Sequence, residues 1–278
     1  MKTNHSIPLW FLSFLLFTSL ATAGVWPGFR GATGVGVAWK DKLPAKWSED
    51  EGVKWKLDLP GRGNSSPVIT KDRIYLTTQT EDKSLWVIGI DKATGKQLWK
   101  KQAGSGALAA KGPKNLYEHR HNSATPTPAA SEWRVFAFFG TGDFVCFNKQ
   151  GRKIWERDLV KDYGEYDITF GMGSSPRLWK GGIYLPCMTK GPSYVIALDP
   201  QDGKTIWKKD RKLPAEDDGP DAYSTPVVWR NNETKAEQLL VSGSDHVNAY
   251  DLKTGEQLWV TGGLKIKSKF GRVIASPA

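Results

Sequence analysis

Ile88-Gly-Ile-Asp-Lys-Ala-Thr-Gly-Lys-Gln-Leu-Trp99 decides the fold, because the chain repeats it. It returns as Ile196-Ala-Leu-Asp-Pro-Gln-Asp-Gly-Lys-Thr-Ile-Trp207 and as Asn248-Ala-Tyr-Asp-Leu-Lys-Thr-Gly-Glu-Gln-Leu-Trp259. Asp91, Asp199 and Asp251 are each followed by a glycine four positions on (Gly95, Gly203, Gly255) and a tryptophan eight positions on (Trp99, Trp207, Trp259). A fourth copy, Cys146-Phe-Asn-Lys-Gln-Gly-Arg-Lys-Ile-Trp155, is one residue shorter and sets Asn148 ahead of Gly151 and Trp155. Trp155, Trp207 and Trp259 are 52 residues apart. A fixed period near fifty residues is the signature of a repeat architecture.

A second landmark precedes each copy: Ser66-Pro67, Thr125-Pro126, Ser175-Pro176, Thr225-Pro226 and Ser276-Pro277, with the later prolines 50, 50 and 51 residues apart. Between landmarks lie short β-rich runs such as Arg73-Ile-Tyr-Leu-Thr77 and Ser193-Tyr-Val-Ile-Ala-Leu198, bounded by glycine turns. Four antiparallel strands in about fifty residues is the size of a β-propeller blade. The turn chemistry explains the motif. Asp or Asn accepts hydrogen bonds from backbone N–H groups ahead of it, Gly supplies the positive φ that closes the hairpin, and Trp offers a flat surface to a neighbouring sheet. All twelve of these positions therefore read as blade structure and not as a site.

The Ala-x-Asp-x-x-x-Gly-x-x-x-Trp pattern, carried from about Glu51 to Ala278, resembles the tryptophan-docking repeat of pyrroloquinoline quinone (PQQ) dehydrogenases and the wider PQQ-like propeller superfamily. In repeat type it is also similar to the outer-membrane lipoprotein of β-barrel assembly. The resemblance implies an all-β propeller of four-stranded antiparallel blades, seven or eight when complete, with Trp docking between blades. About four are present: repeats ending near 100, 156, 208 and 260, then Ile274–Ala278 as the first strand of a fifth. Val53–Leu59 matches a fourth strand, with Trp55 in register. The expectation is a truncated reading frame; a compact four- or five-bladed ring, or an assembly of two copies, is the alternative. PQQ enzymes imply a calcium ion held by acidic and amide groups, an Asp base, an Arg near the quinone and often a disulfide of adjacent cysteines. Cys146 and Cys187 stand 41 residues apart, and no stretch matches the calcium or base motifs. No cofactor is expected, with PQQ and calcium as the alternative. Cys146 sits where Ala197 and Ala249 stand in other copies, a packed strand interior.

The 278 residues include 13 Trp, 11 Phe and 8 Tyr, enough for a large core, and 29 Gly and 16 Pro, which disfavour a helical bundle. Two Cys exclude a disulfide-dense scaffold and a four-Cys zinc site. Residues 1–23 read as a signal peptide: Lys2, an apolar run from Leu9 to Phe17, then Ala21-Thr22-Ala23 before a cleavage that leaves Gly24 first. An exported protein, periplasmic or secreted, follows, with no lipid anchor because no Cys follows the cleavage. The chain is not membrane-spanning, since no later apolar run approaches 18 residues. Residues 24–50 read as an N-terminal extension and 51–278 as the incomplete propeller. The net charge is +10, but the lysines are dispersed along turns, so no nucleic-acid partner is expected.

The segments entering each first strand are rich in groups that donate, accept or titrate, and first strands of a propeller line its channel. They are Arg62-Gly-Asn64, His119-Arg-His-Asn122, Asp167-Ile-Thr-Phe-Gly-Met172, Asp221-Ala-Tyr223 and Lys269-Phe-Gly-Arg272. The candidate channel-mouth ligand residues are Arg62, Asn64, His119, Arg120, His121, Asp167, Tyr223 and Arg272. His119 and His121, spaced i, i+2, point the same way in an extended chain, but two His without a third firm ligand make a weak metal signal, and no metal is assigned. Arg62, Arg120 and Arg272 suit an anionic ligand or acidic peptide. Arg211 reads as a rim charge. No catalytic group is assigned. The expected function is a non-enzymatic exported scaffold that binds an envelope protein or peptide through its loop face or channel mouth. A PQQ-dependent oxidoreductase, or another small-ligand propeller, is the alternative.

Overall fold

Apolar runs alternating with Asp/Gly turns fold into four meandering sheets in a computed structural model that describes residues 24–38, 43–108 and 120–278. Blade 1 is β1 (Val68–Ile69), β2 (Arg73–Gln79), β3 (Ser84–Asp91) and β4 (Gln97–Ser105). Blade 2 is β5 (Ala129–Ala130), β6 (Arg134–Phe138), β7 (Asp143–Asn148) and β8 (Lys153–Asp158), followed by a one-turn helix α1 (Leu159–Tyr163). Blade 3 is β9 (Arg177–Trp179), β10 (Gly182–Cys187), β11 (Tyr194–Leu198) and β12 (Thr205–Asp210). Blade 4 is β13 (Val227–Arg230), β14 (Glu237–Gly243), β15 (His246–Asp251) and β16 (Gln257–Thr261). Every sheet is antiparallel, with its first strand at one edge and its fourth at the other. Residues 1–23, read above as a signal peptide, lie outside the described residues.

The repeat motif performs the same task in each blade. Gly89 pairs with Trp99, Cys146 with Trp155, Ala197 with Trp207 and Ala249 with Trp259, and the register shifts immediately afterwards each time. The small partner lets the indole lie across its own sheet, and the bulge turns the strand. Asp91 Oδ1 accepts from the N–H groups of Ala93 and Thr94, Asp251 Oδ1 from Lys253 and Thr254, and Asn148 Oδ1 from Gln150 and Arg152. Gly95, Gly151, Gly203 and Gly255 take φ of +74°, +80°, +74° and +67°.

Three of the four repeat indoles reach the next blade. Trp99 Nε1 donates to the Lys149 carbonyl (3.0 Å), Trp155 Nε1 to Pro200 (3.1 Å) and Trp207 Nε1 to Leu252 (3.0 Å). Trp55 does the same to Lys92 (3.2 Å), although Val53–Leu59 joins no ladder. Apolar clusters fill the joints, with Phe136, Phe144, Ile183 and Ile196 between blades 2 and 3, for example. Trp99, Trp155 and Trp207 are 7–8% exposed, whereas Trp259 is 39% exposed and its Nε1 donates to Gln238 of its own blade.

Near the channel, hydroxyls link the blades in series. The Ser66 N–H donates to Thr127 Oγ1, Thr127 N–H to Ser175 Oγ, Ser175 N–H to Thr225 Oγ1 and Thr225 N–H to Ser276 Oγ. This corrects the second landmark: Thr127-Pro128, directly ahead of β5, is equivalent to Ser66-Pro67, and Thr125-Pro126 is not. The repeated Thr-Pro pair in Thr125-Pro-Thr-Pro128 hid the register. Ile274–Ala278, expected as a strand, forms no ladder but supplies Ser276 to this series.

Arg211 also departs from its expected place. It is 2% exposed, and its guanidinium donates to the Gly243 carbonyl (2.9 Å) and to Asn248 Oδ1 (2.6 Å), so it ties blade 3 to blade 4 and is not a rim charge. Cys146 and Cys187 are both free and buried. Burial pushes the Cys146 thiol up to about 12 and the Cys187 thiol up to about 11, which suits packed, unreactive sulfhydryls.

Candidate functional site

The loops that feed the inner strands meet at one mouth. Those of blades 1 and 2 are cross-tied: Asn64 Nδ2 donates to the Arg120 carbonyl and Asn122 Nδ2 to the Arg62 carbonyl, both at 2.9 Å. Arg62 is held further by a backbone pair with Gln79. These bonds fix the loops where an extended segment alone would pay the full conformational cost of ordering.

Between the loops of blades 2, 3 and 4 lies a cavity of about 600 Å³. It gathers Arg120, His121, Tyr223 and Arg272 from the expected set and adds Phe170, Ile266, Phe270 and Ile274. A second, more polar cavity of about 510 Å³ holds Arg62 and shares His121 with the first. Asn64 acts as a tether, and the Asp167 backbone carbonyl accepts from the Lys190 N–H (2.9 Å) without lining either cavity. His119 lies outside the described residues. Among the described residues no three His, Cys, Asp or Glu side chains come together to hold a metal.

The floor of the larger cavity rests on an ionic node that the sequence reading did not include. The Arg272 guanidinium lies over the Phe170 ring, 4.0 Å from its centroid, and its Nη2 donates to Asp218 Oδ2 (2.7 Å). Asp218 Oδ1 accepts from Lys190 Nζ at 2.9 Å. Burial alone would raise the Asp218 carboxyl, but the Lys190 hydrogen bond and the two cations outweigh it and hold it below the usual range. Asp221, fully buried, accepts the Thr169 N–H (2.8 Å), and burial pushes its carboxyl up. Burial likewise pushes the Tyr223 phenol up and the His121 imidazole down. Asp218, Lys190 and Phe170 come from separate loops, and only their meeting gives them a role. No spacing in the chain announces it.

A calcium–quinone site needs free acidic ligands. Both Asp218 oxygens are engaged by cations, Asp221 Oδ2 accepts from Thr169 while its buried Oδ1 has no hydrogen-bond partner, and the two cysteines sit in different blades. No step is derived through that group.

Four Trp-latched sheets around a common centre, with their loops converging on one mouth, define a β-propeller of the tryptophan-docking type. The chain belongs to the family described as "Outer membrane protein assembly factor BamB", which matches residues 20–182, more than half of its length. It is 21% identical over 244 residues to a polyvinylalcohol dehydrogenase from Pseudomonas sp, covering 75% of this chain and 35% of that protein. It is 22% identical over 220 residues to a tetrathionate hydrolase from Acidithiobacillus ferrooxidans, covering 74% and 37%. Among solved structures, the quinohemoprotein alcohol dehydrogenase of Comamonas testosteroni superposes with a TM-score of 0.58 at 14% identity, covering 86% of this chain and 41% of that one. That likeness shows the fold. The chain spans little more than a third of the length of the curated relatives it matches.

Proposed function

We propose that this chain is a non-enzymatic, exported propeller scaffold that holds a segment of another envelope protein at its loop mouth. The observation behind the reading is the larger cavity. Its walls are Phe170, Tyr223, Phe270, Ile266 and Ile274, its charged lining groups are Arg120 and Arg272, and no carboxylate lines it among the described residues. Such a chamber fits an aromatic or branched aliphatic side chain with a carboxylate beside it, the apolar body desolvated and the acid facing a guanidinium. Loops on a rigid scaffold are where binding residues concentrate. The family description, an outer-membrane assembly factor, supports an envelope location and a protein partner. No helix among the described residues is long and apolar enough to cross a membrane.

The test is fluorescence anisotropy with a labelled pentapeptide carrying phenylalanine between two aspartates. Saturable binding, weakened about tenfold or more by Arg272→Ala, is expected, about 1.4 kcal/mol. The second reading, a PQQ-dependent oxidoreductase, draws on the similarity to a dehydrogenase over 75% of the chain. Saturable, calcium-dependent quenching of tryptophan fluorescence by PQQ, without peptide binding, would replace the scaffold reading with this one.

A further inference from the structure

We infer that Trp26–Gly36 is a stopper latched across the inner strands of the four blades by Arg177, so that the strand residues beneath it are closed to solvent while the latch holds.

The segment belongs to what composition presents as an N-terminal extension, yet it meets the inner strand of every blade in chain order. Trp26 pairs with Ile69 of β1 through two backbone hydrogen bonds, N–H to Ile69 O at 2.7 Å and Ile69 N–H back at 2.8 Å. The Ala130 N–H of β5 donates to the Pro27 carbonyl at 2.8 Å. Arg177 of β9 donates from Nη2 to the Phe29 carbonyl (2.8 Å) and from Nη1 to the Gly31 carbonyl (2.9 Å). Gly34 then lies against Arg177 and against Val227 of β13. These inner strands are the strands that end each sheet on the channel side, with one row of backbone groups unpaired by the sheet itself. The stopper takes up part of that row.

Its composition fits the task. Gly28, Gly31 and Gly34 are buried at intervals of three. A β-carbon on Gly34 would stand 2.6 Å from Arg177 Nη2 and 3.1 Å from Val227 Cγ2, so only glycine admits so close a pass. Arg177 is 4% exposed and its hydrogen-bond partners are carbonyl oxygens alone: Phe29, Gly31 and, from Nε at 3.2 Å, Pro226. Burial, with Arg30 nearby, brings its guanidinium down to about 10. A buried cation with no carboxylate partner is costly, and an apolar side chain would fill the same volume without that cost. What an apolar side chain lacks is a set of donors for the stopper's carbonyls, which would otherwise be buried without partners.

The stopper sits away from the ligand mouth. Ile69 and Ala130 are the last residues of β1 and β5, and Arg177 and Val227, the first residues of β9 and β13, stand four residues beyond Gly173 and Tyr223 of the mouth cavity. Asn64 and Ile69 are five residues apart along extended chain, about 16 Å.

The test uses the full chain carrying Val227→Cys as a reporter, reacted with a maleimide and read by intact mass. Cys146 and Cys187, both buried, report global unfolding in the same spectrum. With Arg177 present the reporter should react slowly. Adding Arg177→Met should speed its labelling about tenfold or more while the two native thiols stay unmodified. Rapid labelling with Arg177 intact, or no acceleration in Arg177→Met, overturns the inference. Should Arg177→Met label all three thiols together, the chain has unfolded, and Arg177→Lys decides by hydrogen exchange. Faster exchange confined to the Ile69 and Ala130 amides, which donate into the stopper, supports the latch; unchanged exchange there overturns it.

Discussion

The indole of Trp155 covers Gly203 of the next blade so closely that a β-carbon on that glycine would stand 2.7 Å from the ring. The same indole donates to the Pro200 carbonyl three residues earlier in the same turn. One side chain thus satisfies a backbone acceptor, buries apolar surface and requires a glycine already demanded by the turn's positive φ. Trp99 with Gly151 and Trp207 with Gly255 repeat the arrangement.

Removing a docked indole should therefore be far costlier than removing the undocked one. Trp155→Ala is expected to lower unfolding stability by about 3–5 kcal/mol, as for a buried large aromatic. Trp259→Ala, at 39% exposure and bonded only to Gln238 of its own blade, should cost about 1 kcal/mol or less. Urea denaturation of the two variants compares them directly, and equal losses would refute docking as the source of blade cohesion.

Thr127→Val should expose the importance of the hydroxyl series. The substitution keeps the shape but leaves the Ser66 N–H without its acceptor, at a cost of about 1–3 kcal/mol, whereas Thr127→Ser should restore most of it. Thermal unfolding of the pair checks this.

Asp218→Asn should weaken peptide binding at the loop mouth without contacting the peptide. Asparagine cannot hold Lys190 and Arg272 as an ion, so the guanidinium is released from its place over Phe170. Affinity for the aspartate–phenylalanine peptide should fall about threefold to tenfold, and stability by about 1–3 kcal/mol. Titration calorimetry at two salt concentrations separates these effects: the residual affinity should depend less on salt than in the parent.

Stability should fall with pH partly through His121. Burial holds its imidazole below the ordinary value of 6.5, so the unfolded chain binds the proton first. The contribution is complete above pH 6.5 and is lost as pH falls through that value toward the lower folded one. Melting temperatures between pH 7.5 and 5 should drop more steeply for the parent than for His121→Asn, and parallel curves would exclude the effect.

Much of the fold was legible in the chain because it rests on local chemistry repeated in register. An Asp or Asn, a Gly with positive φ and a Trp at fixed spacing specify a hairpin and the surface it presents, and Gly89, Cys146, Ala197 and Ala249 mark where each indole crosses its sheet. Register misled where two Thr-Pro pairs stand side by side, since only an inter-blade bond distinguishes Thr127 from Thr125. The mouth residues were found in part. Arg120, His121, Tyr223 and Arg272 line one cavity because all of them directly precede inner strands or the Ser276 link.

By itself, then, the sequence determined the blade: its length, its turns and the aromatic latch, all set by residues within about fifty positions of one another. Only the tertiary structure decided which of the loop residues share a cavity, that Arg211 is buried between blades, that Asp218 is shared by Lys190 and Arg272, and that Trp26–Gly36 is latched across the inner strands by Arg177. The physical reason is separation along the chain. A contact such as Arg177 with Gly31, 146 residues away, leaves no periodicity behind, because its residues are chosen by burial and by the carbonyls that happen to face them.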